Sequence, residues 1–249
     1  MEGNGSGSPR GAAELPGGLG HARTVSGEPS RGGEPMSSAD DLAWDEDVRV
    51  AVYRAFAARG RPPTAPELAD AAHGSLAVAK QALHRMADPR WLWLDECEHV
   101  ALAAPFAAVP LGFAVMGEHT MWWGGCAWDS FAIPHLVSGE PEVLVATRCP
   151  GCGEPSALVV RRDRPPAGAQ VAYFPAPPDQ LARDRGKQRL YCSESCVDSP
   201  GELLGLDALW HLAKDWYEGC LEPGYRPRGP AEAAAYFAAS TSPDAFRSG

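Results

Sequence analysis

The sequence predicts an α+β protein, in which a three-helix module precedes a mixed or antiparallel sheet domain with flanking helices. Three observations predict it. Apolar residues recur at helical spacing between positions 48 and 86, with breakers and a capping box between the runs. Two short apolar runs separated by a polar turn follow at 91–102 and read as a hairpin. From residue 142 onward, short strand-like runs alternate with turns rich in Pro, Gly and Asp.

Each element has its own signal. Residues 1–39 are Gly, Ser, Pro and Glu with few large apolar side chains, and are expected to stay disordered. In 48–58, Val48, Val52, Ala55 and Phe56 share a helical face, and Gly60-Arg61-Pro62-Pro63 ends it. Thr64 and Glu67 form a capping box with Pro66 in the first turn, so a short helix runs to about Ala72. Gly74-Ser75 separates it from a third helix over 76–86, with Leu76, Ala79, Leu83 and Met86 on one side. Three helices followed by a hairpin is a winged-helix-like order. Its DNA-binding use is disfavoured, because the third helix offers only Lys80, His84 and Arg85, while the second carries Glu67 and Asp70.

Residues 105–115 read as an apolar linker strand. Strands are expected at 142–147, 156–161, 171–174 and 189–192, a loop or short helix at 175–185, and a helix at 200–217. A terminal helix at 231–239 and a frayed end complete the chain. The expected organisation is therefore a tail (1–39), a winged-helix-like module (40–104), a catalytic-type domain (105–230) and a terminal helix with tail (231–249).

Composition narrows the function. The formal net charge is −10, which opposes tight binding to a phosphate backbone. No apolar run is long enough to span a bilayer, and the N-terminus lacks a signal-peptide core, so a cytoplasmic location is expected. Seven cysteines in such a chain read first as metal or catalytic ligands rather than as disulfides. His119, His135 and His211 are isolated, Cys97 lies among acids, and Cys220 follows the 200–217 helix and reads either as an exposed thiol or as a structural or incidental one.

The stretch 121–134, M-W-W-G-G-C-A-W-D-S-F-A-I-P, is the anomaly. It sets Cys126 three residues before Asp129 among Trp122, Trp123, Trp128, Phe131 and Ile133. A carboxylate in such surroundings is costly unless it is paired or holds a proton. On one helical turn, thiol and carboxyl would share a face. Cys149-x2-Cys152 on a Pro-Gly knuckle and Cys192-x3-Cys196 form a second pattern. Four thiolates are the number a closed tetrahedral zinc site takes.

Cys126-Ala127-Trp128-Asp129, with apolar residues and then Pro134, resembles the signature of the organomercurial (alkylmercury) lyases. The likeness runs from about residue 48 to about residue 217. In that family a second active-site cysteine follows an aromatic residue late in the chain, as Tyr191-Cys192 does. A turn cysteine regarded as structural precedes it, as Cys149 with Gly153 and Pro155 does. Cys152 and Cys196 have no counterpart, and Glu194, Ser195 and Asp198 stand where apolar residues are expected.

The resemblance implies a lyase that splits carbon–mercury bonds by protonolysis to a hydrocarbon and Hg(II). Cys126 and Cys192 would bind mercury, a soft acid that thiolates hold best, and Asp129 would relay the proton. The aromatic surroundings would raise the pKa of Asp129. No organic cofactor is needed. Hg(II) would stay on the thiolates until low-molecular-weight thiols or a mercuric reductase removed it. The alternative is a non-enzymatic regulatory or interaction protein on a lyase-like scaffold, with structural zinc on Cys149, Cys152, Cys192 and Cys196. Cys192 cannot serve both as a saturated zinc ligand and as a free mercury thiolate.

Overall fold

The computed structural model describes residues 39–88, 92–175 and 187–241. The expected tail up to residue 38, Trp91 of the hairpin, the loop or short helix beyond residue 175 and the frayed end after residue 241 lie outside the described residues. Helix α1 (Ala39–Arg59) extends further toward the N-terminus than the 48–58 run suggested. Its Val48, Val52, Tyr53 and Phe56 are buried. Gly60 ends it with φ 68°, a left-handed conformation that favours glycine, and its N–H reaches the carbonyl of Phe56 at 2.7 Å. A side chain at Gly60 would also collide with the carbonyl of Met121 on a later strand.

Helix α2 (Ala65–Ala71) begins at the expected capping box: the Glu67 carboxylate accepts from the Thr64 backbone N–H at 2.7 Å and hydroxyl at 2.9 Å. Helix α3 (Leu76–Met86) is capped by Ser75, whose Oγ accepts from the N–H of Val78. Strands β1 (Leu92–Leu94) and β2 (Val100–Ala103) then pair antiparallel.

The 105–115 stretch differs from expectation. It forms two short strands, β3 (Phe106–Ala107) and β4 (Phe113–Met116), rather than one linker strand. Pro110, which lacks an N–H, and Gly112, at φ 103°, turn the chain between them. Strand β5 (Met121–Gly124) lies between the two and pairs with both. With β6 (Glu142–Arg148) and β7 (Pro155–Arg161), the order is β1-β2-β3-β5-β4-β6-β7. Every pairing in this seven-stranded sheet is antiparallel. The hairpin therefore continues directly into the sheet of the later segment, and all described residues fall in one compact unit.

Helix α4 (Ala127–Leu136) packs on this sheet and against α5. A second, three-stranded sheet holds β8 (Val171–Phe174) in the centre, flanked by β9 (Arg189–Tyr191) and β10 (Glu202–Gly205). The expected helix at 200–217 is thus corrected: its first part is β10, and α5 spans only Leu206–Lys214. A short apolar run suits either period, and here β8 supplies an edge on which Leu204 pairs with Ala172. Helix α6 (Pro230–Thr241) closes the described chain.

One buried cation fixes the segment after α5. Arg49, 3% exposed, donates to the carbonyls of Cys220 at 2.6 Å and Glu222 at 2.5 Å, and to Glu46 at 2.8 Å. Helix α1 thereby holds the chain just beyond Tyr217 in place.

Candidate functional site

Strand β5 carries the chain inward to Gly124, Gly125 and Cys126. Both glycines are required by close approach. A side chain at Gly124 would strike Ser130 Oγ, and one at Gly125 would strike Asp129 Oδ2. The carboxyl group therefore lies directly against the backbone that enters the helix.

Cys126 is the N-cap of α4 rather than a member of its first turn. Its backbone is extended, its side chain is 2% exposed, and its Sγ accepts from the N–H of Asp129 at 3.4 Å. A sulfur in this place serves the free N–H groups of a helix start, where negative charge is favoured. Its carbonyl accepts from the N–H of Ser130 at 2.9 Å and from Ser130 Oγ at 2.6 Å. Asp129, 1% exposed, accepts from the hydroxyl of Tyr217. Thiol and acid thus share one buried turn, and Tyr217 joins them from 88 positions away.

The tryptophans of the motif divide their work. Trp122 donates its indole N–H to the carbonyls of Phe56 at 2.9 Å and Ala57 at 3.1 Å, tying β5 to α1. Trp128 donates to the carbonyl of Leu212 and packs with Trp216 (4.5 Å between ring centres) and Phe174 (6.1 Å). These contacts lock α4 in position on α5 and β8. At the far end of α4, Arg162 donates to the carbonyls of Pro134 and Val137, a favourable cation at a helix C-terminus.

Cys192 stands in a second group. The turn between β6 and β7 brings Cys149 and Cys152 onto a knuckle closed by Gly153, at φ 76°, whose N–H meets the carbonyl of Cys149 at 2.9 Å. After β9, a single 3-10 turn, Glu194–Cys196, presents Cys196. The sulfurs of Cys149, Cys152 and Cys196 all lie within 4.8 Å of one another. Cys192 Sγ is 3.6 Å from Cys152 Sγ, and its backbone N–H donates to Cys149 Sγ at 3.4 Å.

Acidity differs within this group. Burial pushes the Cys149 thiol up, but N–H donors from Cys192, Cys152 and Gly151, with the Cys152 thiol, outweigh it and bring it down to about 6. The Cys152 and Cys149 thiols beside it push Cys192 up to about 12. Sulfurs this close cannot all carry charge without a cation between them. The two groups meet at the backbone: the N–H of Ala127 donates to the carbonyl of Gln188 at 3.2 Å, just before β9.

The remaining candidates fall elsewhere. Cys220 is fully buried, a structural thiol rather than an exposed one, and burial pushes its thiol up to about 12. The turn after α5 folds under α1 rather than trailing into solvent. Cys97 is exposed, and its sulfur lies near ligand atoms of Asp95 and His99 in the β1–β2 turn. His135 is half-buried against the edge of Trp210, and burial first, then the charges of Arg162 and Lys214, lower it to about 4. On α3, Lys80 and His84 both meet Glu98 at 3.0 Å, and Arg85 holds Asp45 with two nitrogens. Among the described residues no helix is long and apolar enough to cross a membrane.

Sequence reasoning missed Tyr217. Its only signal was an aromatic residue closing the apolar run at 200–217.

The alkylmercury lyase family model matches residues 106–218, a span that includes Cys126, Asp129, Tyr217 and the four clustered cysteines. Among solved structures, the mercury-bound form of MerB2 is similar with a TM-score of 0.53 and 13% identity, covering 73% of this chain and 100% of that one. No curated protein matches. Over residues 106–218 the chain is thus similar to the alkylmercury lyases, and its fold is similar to that of mercury-bound MerB2.

Proposed function

We propose that this protein is an organomercurial lyase acting by protonolysis. The observation that carries the reading is Cys126 and Asp129 on one buried helix start, inside the family-matched segment. Cys126 captures R–Hg as its thiolate, and a second sulfur on mercury weakens the bond to carbon. The electron pair of the C–Hg bond then takes the proton carried by Asp129, giving R–H. Mercury remains as Hg(II) on sulfur, and no oxidant or reductant is consumed. Tyr217 holds the Asp129 carboxyl in position. Cys192 was the expected second sulfur, but the company it keeps supports another assignment, developed below. In this reading the second sulfur comes from the small thiol that delivers the mercurial. A low-molecular-weight thiol or a mercuric reductase also serves as acceptor of the product.

The test is hydrocarbon release from a phenyl- or methylmercury–thiol adduct, followed by gas chromatography. Release by the intact protein is expected, and its loss in Cys126→Ser and in Asp129→Asn. Release that survives both substitutions would remove this reading. The cysteine cluster favours a second reading, a non-enzymatic zinc-binding regulatory or interaction protein on the same scaffold. A protein that takes up mercury without releasing hydrocarbon would support it.

A further inference from the structure

Two chain segments far apart in sequence bring their sulfurs to one point beside β9. In a tetrahedral zinc–thiolate site, bonds of about 2.3 Å place neighbouring sulfurs about 3.8 Å apart. Cys152 and Cys192 are at 3.6 Å, and Cys149, Cys152 and Cys196 are mutually within 4.8 Å. The backbone is arranged to suit thiolates. The N–H of Cys192 already points at Cys149 Sγ, and Ser193 Oγ lies 3.8 Å from Cys196 Sγ. Such donors around the ligands orient them and stabilise their charge. The knuckle and the 3-10 turn also pack as closely as backbone allows, since a side chain on Gly151 would strike the carbonyl of Cys196.

We infer that Cys149, Cys152, Cys192 and Cys196 form a closed structural zinc site, clasping the β6–β7 turn of the large sheet to the end of β9 in the small one. Four sulfurs leave no open coordination position, so the ion acts on folding rather than on substrate. The site takes Cys192 out of the mercury chemistry. It also fixes β9 and hence Gln188, whose carbonyl receives the N–H of Ala127 at the start of α4.

The experiment is metal content of the full-length protein by mass spectrometry, with cobalt(II) substitution as a second readout. One equivalent of zinc is expected. Loss of that equivalent is expected for Cys149→Ser, Cys152→Ser, Cys192→Ser or Cys196→Ser, and full retention for Cys97→Ser and Cys126→Ser. If the ligand variants fail to fold, the cobalt-loaded wild type still decides: intense thiolate-to-cobalt absorption and tetrahedral visible bands are expected, unchanged in Cys126→Ser. Purified protein without zinc that also gives no thiolate–cobalt spectrum overturns the inference, as does a Cys192→Ser variant that keeps its full zinc. These outcomes are independent of hydrocarbon release, so the lyase reading and the zinc site stand or fall separately.

Discussion

The molecule has two sulfur centres, and they are built on opposite physical plans. Cys126 is a single thiol sunk in the core at a helix start, with an acid on the same turn. The other centre is a cluster near the surface, where Cys152 is exposed and Cys192 and Cys196 are half-buried. In the proposed lyase chemistry, the first plan isolates a reactive thiol and supplies a proton carrier. The other crowds four cysteines, which in the inferred zinc site a cation would reconcile. The difference shows that cysteine number alone does not identify chemistry. The neighbours do, since a carboxyl suits bond cleavage and further thiolates suit a sealed metal.

The sharpest way to break this contrast is stability. Cys149→Ser should cost several kcal/mol because zinc binding and folding are coupled, lowering the melting temperature by roughly 10 °C. Cys126→Ser should change stability by no more than about 1 kcal/mol, since serine is itself a good N-cap. Equal losses in thermal melts would mean the two centres are not of different kinds. Catalysis tests the other side. Asp129→Asn should lower hydrocarbon release by at least about 100-fold while zinc content stays unchanged. Tyr217→Phe sharpens the picture of the buried acid. Removing the hydroxyl should cost about 1–3 kcal/mol and slow cleavage without altering metal content; an unaffected melt and rate would show that this contact is incidental.

A smaller effect lies on the same helix. His135 is lowered to about 4 in the folded chain, against 6.5 for an unperturbed side chain. The unfolded state therefore binds the proton more readily between these values. Its contribution is present above about pH 6.5 and is lost as pH falls toward 4, on the order of 1–2 kcal/mol after allowing for its partial exposure. His135→Phe should flatten the stability–pH curve in that window, as followed by denaturant titration. A curve of unchanged slope would sink the assignment.

Much of the fold was legible in local chemistry. The Thr64–Glu67 box set the start of α2, the Gly74-Ser75 break that of α3, and alternation over 142–147 marked β6. Where two periods fit one run, the sequence could not choose. Leu203 and Leu204 suit a helix as well as a strand, and only the waiting edge of β8 decides for β10. The motif from Cys126 to Asp129 was readable as a shared turn, but the cap geometry was not, because it depends on β5 entering in extended form. Tyr217 was invisible in its role, since its partner lies in another element. The Cys149–Cys152 knuckle showed two converging sulfurs in its spacing, whereas the approach of Cys192 and Cys196 depends on how β9 is laid down.

The continuity of the large sheet through β2 and β3 bears on how this protein can be dissected. A fragment beginning at residue 105 would keep the family-matched span, yet it would strip the two-residue β3 of one of its two partner strands, β2, and leave the Trp122 indole without its acceptors on α1. Such a bared margin invites intermolecular pairing. Shortened versions should therefore clump, because the helices at the front of the chain cover and tie down the sheet they border.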